Sequence, residues 1–341
     1  MRTKPIFCVF AGIVLMFSHC SPHSEYGRIN GFALGTTYAV TFKMPEGASP
    51  SFTQTVQTAL DGCFDQVNNS LSMYNNHSLI SRLNNNLTVN TDSLFNIVFR
   101  RSVEIGLLTG GAFDISAGPL FDAWGFGEHD RVPVTQAQIE EIKKQTGMHL
   151  FNLKDGVLSK THPKATLSMN AIAKGFTSDL AGHRLDSLGI PDYLVEIGGE
   201  IVCKGVNPQG QSWRIGIDSP VDGNNSPGKD LQTVLTLTSG KGLATSGNYR
   251  NYYIENGKKY AHIIDPVTGF PVQHSLLSVT VIAGDCMTAD AYATALMVMG
   301  LEKSKTFLSL HPELGAFLIY DHNGSFETFV TDNIAASVIR Q

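Results

Sequence analysis

The stretch YLVEIGGEIVCKG, residues 193–205, decides the fold class of this chain. Apolar side chains alternate on both sides of Gly198-Gly199, which is the pattern of two short strands separated by glycines. The glycines permit either a tight turn or a close approach of the backbone to a ligand. Further short strands follow at Trp213–Ile217 and Thr233–Leu237. Because strands occur in runs rather than in alternation with helices, we predict an α+β fold of mostly antiparallel sheets with packed helices.

Periodicity along the rest of the chain predicts the helices and strands that surround this stretch. Apolar residues at helical spacing predict helices at residues 52–67, 92–108, 136–146, 171–188, 288–299 and 301–310. Further strands are predicted at residues 29–42, 252–255, 277–282, 315–320 and 326–330, with a loop at 68–90. The small residues of segment 244–249 predict either a backbone that a ligand approaches or a hairpin turn. No repeat or interdomain linker divides the chain.

The N-terminus reads as an export signal. Arg2 and Lys4 precede an apolar run, Ile6–Phe17, that is too short to span a bilayer as a mature helix. Ser18-His19-Cys20 resembles a bacterial lipobox, although histidine is unusual before the cysteine. We predict a lipoprotein signal peptide at 1–19, a tether at 20–28 and the folded domain at 29–341. The alternative is an ordinary signal peptide cut nearby, with Cys20 a free thiol. The expected location is a periplasm-facing, membrane-anchored bacterial lipoprotein, held through lipid on Cys20.

Composition limits the classes of partner and of covalent framework. The formal net charge is −5, only 16% of residues are charged, and there is no run of Lys or Arg. Nucleic acid is therefore not an expected partner. Cys63, Cys203 and Cys286 form an odd, widely spaced set, which predicts buried thiols rather than disulfides or a zinc site.

Two polar residues of the predicted helix 288–299 suggest a metal site. Asp290 and Thr294 are spaced i, i+4, so a carboxylate and a hydroxyl lie on one helical face. Small alanines surround them, and hard oxygen donors suit Mg²⁺. The ordinary alternatives are a solvated or capping aspartate and a threonine that bonds a backbone carbonyl.

Other segments add groups suited to a phosphate ester. Segment 168–176 opens a helix, and a helix N-terminus with Lys174 suits a pyrophosphate, although a capped helix with a solvated lysine fits equally. His262 precedes the turn Asp265–Gly269 and is a candidate general base. Tyr74 and Trp124 are candidates for stacking on a planar ring, or for small outlying core clusters. Together these groups predict a metal-assisted reaction on a phosphate ester.

Taken in order, eight segments resemble the ApbE family of FAD:protein FMN transferases. The resemblance covers about residues 29–335 and implies an ApbE-like, T-fold-related architecture. It also implies Mg²⁺-dependent transfer of FMN from FAD to a Thr or Ser hydroxyl of an acceptor flavoprotein, typically a subunit of a membrane redox complex, with release of AMP. Some members hydrolyse FAD instead. The matching segments are 35–38, 73–84, 111–127, 170–176, 195–201, 245–249, 262–271 and 289–296.

The resemblance also implies roles for individual residues. Asp290, Thr294 and the backbone carbonyl of Ala171 correspond to metal ligands, and His262 corresponds to the base. Ser168 stands where the family commonly has Asp. Because a hydroxyl cannot replace the charge of a carboxylate, we expect metal affinity or flavin orientation to differ, and a non-catalytic FAD-binding lipoprotein stays as one alternative. An FAD pyrophosphatase that uses the same site is the other. The residues that correspond to FAD contacts are Leu34, Tyr74, Ser116, Ala117, Gly118, Ser168, Lys174 and Ile264.

Overall fold

The computed structural model describes residues 25–49, 51–126, 134–221, 228–248, 252–255, 258–261 and 263–339. The predicted signal peptide, Cys20 and His262 lie outside these residues. No helix in the described ranges is long and apolar enough to cross a membrane.

The helices and strands follow the predicted order closely. The helices are α1 Phe52–Leu71, α2 Leu79–Asn84, α3 Ser93–Leu108, α4 Gly118–Ala123, α5 Gln136–Lys143, α6 Ala173–Ser187, α7 Cys286–Met299 and α8 Leu301–Leu310. The strands are β1 Tyr26–Ala33, β2 Thr36–Lys43, β3 Phe151–Lys154, β4 Val157–Lys160, β5 Tyr193–Ile197, β6 Glu200–Lys204, β7 Trp213–Asp218, β8 Leu231–Leu237, β9 Lys241–Gly247, β10 Tyr252–Glu255, β11 Lys258–Ala261, β12 Leu276–Ala283, β13 Gly315–His322, β14 Ser325–Val330 and β15 Val338–Ile339.

An eight-stranded antiparallel sheet forms the centre of the molecule. Its strand order is β1-β2-β5-β6-β9-β12-β13-β14. A three-stranded sheet has the order β15-β8-β7, and β3-β4 and β10-β11 are separate hairpins. The predicted α+β fold with antiparallel sheets is therefore confirmed.

The central sheet is covered on both faces, which explains why β12 is apolar along most of its length. Helices α6 and α7 pack on one face, and the three-stranded sheet covers the other. Along β12, Val281 belongs to the cluster beneath the helices, whereas Ile282 packs against the three-stranded sheet. Because successive strand residues face opposite sides, burial of both faces requires a continuous apolar run. Cys63, Cys203 and Cys286 are buried free thiols, as predicted.

The two glycines between β5 and β6 form a tight hairpin turn. Gly198 and Gly199 have φ angles of 64° and 101°, a region that favours glycine, and Ile197 pairs directly with Glu200. The tight-turn alternative is therefore confirmed. The turn makes Glu200 the first residue of β6, on the face of the sheet that meets α6.

Several segments differ from the sequence-based predictions. Helix α4 and strands β3, β4, β11 and β15 were not predicted. The predicted loop 68–90 contains α2, whose N-terminus is capped by the Ser78 hydroxyl accepting from Ser81 N–H at 3.1 Å. Residues 244–247 belong to β9, so the hairpin-turn prediction was wrong. The small residues of β9 have a packing reason, since an added Cβ at Gly242 would overlap the backbone of Cys286 at the start of α7.

The first turns of α6 and α7 lie against each other, and each helix caps the other. Asp179 of α6 accepts hydrogen bonds from the N–H groups of Cys286 and Met287, at 2.9 and 2.8 Å. Asp290 of α7 accepts from Gly175 N–H at 3.0 Å. These carboxylates satisfy N–H groups that a helix leaves free at its start. An added Cβ at Gly175 would overlap the Cys286 carbonyl and lie 2.8 Å from the Asp290 Cβ.

We predict that Gly175→Ala destabilises the protein by about 1–3 kcal/mol, because backbone atoms of α7 cannot yield as a flexible side chain would. Gly62→Ala is the matched control, since Gly62 is also helical and nothing lies within 4 Å of an added Cβ there. That control should be more stable than the wild type by about 0.5–1 kcal/mol. Urea denaturation of the purified proteins measures both changes. Equal stability of the two variants would contradict the close packing of α6 on α7.

Candidate functional site

A cavity of about 450 Å³, here called the main cleft, opens beside the start of α6. A neighbouring side cavity of about 480 Å³ shares Tyr74, Asn170 and Lys174 with it. Leu34 lines the side cavity from the β1–β2 turn, where its own φ is 52°. The predicted site residues that line the main cleft are Tyr74, Gly118, Ser168, Ala171, Lys174, Ile264, Asp290 and Thr294.

Ser116 and Ala117 lie behind the wall of the cleft. Both are buried, and neither lines either cavity. The Ser116 backbone N–H and hydroxyl donate to Asp114 Oδ1 at 2.7 and 2.6 Å, and the hydroxyl accepts from Gly147 N–H at 2.5 Å. These bonds set the backbone that leads into α4 and presents Gly118 to the cleft. Contact of Ser116 and Ala117 with a flavin stays a prediction.

Helix α7 is buried on nearly all sides, and Asp290 lies where it meets the main cleft. The Asp290 carboxylate is 4% exposed and accepts the Gly175 N–H. The capping alternative is thus confirmed, and Asp290 lines the cleft as well. Thr294 lies one turn further, with its hydroxyl 3.4 Å from the hydroxyl of Ser246 in β9. The spacing predicted from the sequence therefore does bring a carboxylate and a hydroxyl to one cavity.

The oxygen donors of this wall fit a magnesium-like ion. Asp290, Thr294 and Ala171 all line the cleft, and hard oxygens such as a carboxylate and a hydroxyl are the donors that Mg²⁺ prefers. No group of three or more His, Cys, Asp or Glu side chains suited to a metal occurs in the described part of the chain. The predicted donor set contains only one side chain of those types, Asp290.

Lys174 is paired rather than free in solvent. It lies in the first turn of α6, and its ammonium forms an ion pair with Glu200 Oε1. Burial acts to lower the pKa of Lys174, but Glu200 and Asp290 raise it to a net value above its ordinary range. Burial raises the pKa of Glu200 to about 7, although Lys174 acts to lower it. The lysine therefore carries a positive charge at neutral pH.

The main cleft has an acidic lining. Four carboxyl side chains line it, and Lys174 is the one Lys or Arg among the described lining residues. Burial raises the pKa of three of these carboxyls, Asp114, Glu200 and Asp290. An anionic ligand entering this cavity needs further positive charge beside it. The four carboxyl residues are Asp114, Asp122, Glu200 and Asp290.

The two candidate aromatic residues differ in position. Tyr74 is 75% exposed at the edge of both cavities, and its hydroxyl accepts from Asn170 Nδ2 at 3.2 Å. Its ring is free to stack on a planar ligand. Trp124 donates from Nε1 to the Gly269 carbonyl at 2.9 Å and packs edge-on against Phe270. Trp124 therefore belongs to a small outlying core cluster.

The turn after His262 forms another wall of the main cleft. Gly269 N–H donates to the Asp265 carbonyl at 2.7 Å, as expected for the predicted turn. Ile263, Ile264 and Pro266 line the cavity. The role of His262 itself stays a prediction.

Glu200 and Ser246 are among the cleft residues that were not identified from the sequence. Glu200 follows an apparently ordinary turn, and its partner Lys174 is 26 positions away in the chain. Ser246 lies in a segment of small residues whose strand was not recognised. No local spacing connects either residue with its partner.

Comparison with known proteins matches the fold of the whole chain. A solved structure, the flavin transferase ApbE from Vibrio cholerae, superposes with a TM-score of 0.81 at 32% identity, covering 92% of this chain and 99% of that one. The Pseudomonas stutzeri flavinyl transferase ApbE, in its apo form, also gives 0.81, at 31% identity and 92% and 96% coverage. The fold and the matches define this protein as a transferase.

Sequence relatives make the assignment more specific. The FAD:protein FMN transferase of Vibrio cholerae is 37% identical over 297 residues, covering 85% of this chain and 86% of the relative. That of Escherichia coli K12 is 34% identical over 329 residues, covering 93% and 91%. The model of the ApbE family matches residues 34–318. The chain belongs to the ApbE family.

Proposed function

We propose that this protein transfers FMN from FAD to a Thr or Ser hydroxyl of an acceptor flavoprotein in an Mg²⁺-dependent reaction that releases AMP. The observation that carries this proposal is one cleft in which Lys174, Asp290 and Thr294 meet beside Tyr74, in a chain of the ApbE family. The acceptor is expected to be a flavin-carrying subunit of a membrane redox complex.

The residues present fit the proposed cation. Asp290, Thr294 and the Ala171 carbonyl would hold Mg²⁺, with Asp290 oriented by its hydrogen bond from Gly175. Bound there, Mg²⁺ would neutralise pyrophosphate charge and stabilise the leaving phosphate. Mg²⁺ would also supply the positive charge that an anionic ligand needs beside the acidic lining of the cleft.

The remaining steps belong to the residues of this chain. Lys174 binds the pyrophosphate, and Tyr74 offers a face for a planar ring. The acceptor oxygen forms a bond to the FMN phosphorus while the bond to the bridging oxygen breaks, and AMP leaves with that oxygen. His262 takes the proton of the attacking hydroxyl.

The same groups serve hydrolysis when water replaces the acceptor hydroxyl. A pyrophosphatase that uses the same site is therefore the first rival. Ser168 lines the cleft where the resemblance implies Asp, and this difference supports a second rival, an FAD-binding protein without catalysis. These rivals differ from the proposed transferase in their products.

Incubation of the purified protein with FAD, Mg²⁺ and a Thr-bearing acceptor domain tests the proposal. Mass spectrometry should find FMN covalently attached to the acceptor, and chromatography should find AMP. An acceptor with its Thr replaced by Val, and a reaction with EDTA, are the controls. Free FMN and AMP without acceptor modification would identify a pyrophosphatase. Intact FAD in all reactions would show that the protein is at most an FAD-binding protein without catalysis.

We predict that Asp290→Asn lowers turnover by about 100-fold or more, because the amide keeps the shape and an acceptor for Gly175 but loses the charge that holds the cation. Thr294→Val should also lower turnover, whereas Thr294→Ser keeps the hydroxyl and should retain most of it. Flavin transfer rates at several Mg²⁺ concentrations, with melting temperatures to confirm folding, measure these effects. Undiminished transfer by folded Asp290→Asn would refute the metal assignment.

His262→Ala should slow transfer by about 100-fold while FAD affinity is kept, since a general base acts on the acceptor proton and not on cofactor binding. Single-turnover transfer and flavin fluorescence titration separate the two quantities. Transfer at the wild-type rate would remove His262 from the mechanism.

We also propose that the protein is exported and anchored to the membrane through lipid on Cys20, with its cleft facing the periplasm. The apolar run and lipobox-like segment of the first twenty residues support this location. In cells, the wild type should sediment with membranes and Cys20→Ser should not. Co-sedimentation of the two proteins would show that Cys20 is not the anchor.

A further inference from the structure

Glu200 occupies a position in the cleft that the proposed reaction does not explain. It begins β6 directly after the diglycine turn, and it is only 3% exposed although it lines the main cleft. One carboxylate oxygen pairs with Lys174. The other, Oε2, is buried and has no hydrogen-bond partner among the described residues. A buried oxygen without a partner is costly and requires an explanation.

The consequence of this pair is electrostatic. Glu200 neutralises Lys174, the one Lys or Arg among the described residues of the cleft wall. Asp290 lies close enough to both groups to influence their pKa values. When both carboxyls are ionised, Lys174, Glu200 and Asp290 together carry one net negative charge. The pyrophosphate of FAD is also negative, so without a cation the two groups repel each other.

We propose that Glu200 makes the binding of FAD conditional on the divalent cation, because it keeps Lys174 neutralised until a cation beside Asp290 makes the group positive. This inference rests on the proposed function. It assigns to Glu200 a role in coupling two ligands rather than in contact with the reacting atoms.

The coupling has a definite thermodynamic form. If the cation raises the affinity for FAD by some factor, FAD raises the affinity for the cation by the same factor. Removing the Glu200 charge leaves Lys174 available to the pyrophosphate without a cation. The affinity for FAD in the absence of Mg²⁺ should therefore rise, and the factor by which Mg²⁺ improves it should fall.

Glu200→Gln tests this, since the amide has the size of the carboxylate and keeps an acceptor oxygen for Lys174. Flavin fluorescence titrations, without acceptor, give the FAD dissociation constant in EDTA and in saturating Mg²⁺. A buffer of about pH 8 keeps Glu200 of the wild type ionised. In EDTA the variant should bind FAD about ten-fold tighter than the wild type, and its enhancement by Mg²⁺ should be about ten-fold smaller. Chromatography confirms that FAD is intact.

Two control variants separate charge from structure. Glu200→Asp keeps the charge and should keep the dependence on Mg²⁺. Glu196→Gln makes the same charge change on β5, near Arg28 and Asp218 and on the other face of the sheet, and should behave as the wild type. If Glu200→Gln does not fold, Lys174→Met provides a second arm. It removes the positive charge that the cation is proposed to make available, so FAD should bind less tightly in Mg²⁺ and the enhancement by Mg²⁺ should fall.

The outcomes distinguish this inference from the function on which it rests. If the wild type binds FAD better with Mg²⁺ and folded Glu200→Gln shows the same enhancement within about two-fold, the coupling role is wrong. If the wild type binds no FAD in either condition, the proposed function fails instead. Loss of thermal stability with an unchanged enhancement would assign Glu200 to packing alone.

Discussion

The structure depends on the contact in which α6 and α7 cap each other. Asp179 accepts the first two N–H groups of α7, and Asp290 accepts the Gly175 N–H in the first turn of α6. The free N–H groups of a helix start favour a carboxylate, so each bond stabilises a charge that burial disfavours. For Asp179 burial has the larger effect and raises its pKa to about 7. Glycine at position 175 brings the helices close enough for both bonds to form.

The same contact positions the cleft. Asp290 is held by α6 and lines the cavity, so one carboxylate both joins two helices and offers charge to a ligand. Lys174 precedes Gly175 in the same turn, and Glu200 reaches it from the start of β6. The charged groups therefore lie on rigid elements rather than on loops, as the positioning of a transferred phosphate requires.

Features with a local cause were predictable from the sequence. Helix α8 has its predicted bounds, and the turn at Gly198-Gly199 and the i, i+4 pair of Asp290 and Thr294 were also identified. The short helices α2 and α4, of six residues each, contain too few turns for a periodic pattern. Strand β9 was missed because small residues do not usually indicate a strand. Gly242 is needed there for close packing against α7, and the local sequence does not reveal that contact. The pairing of Lys174 with Glu200 was also missed, because the two residues are 26 positions apart and meet only in the folded chain.

The charge of the cleft offers an explanation for the serine at position 168. Because the resemblance implied a carboxylate at this position, a hydroxyl there was expected to change the metal affinity or the orientation of the flavin. Yet Ser168 lines a cleft that already contains four carboxyl groups and one lysine among its described residues. A fifth carboxylate would add repulsion toward the pyrophosphate, and serine avoids it. Serine at position 168 therefore leaves the cleft with less negative charge than a carboxylate would, and Asp290 and Thr294 keep the oxygen donors that the proposed cation would use.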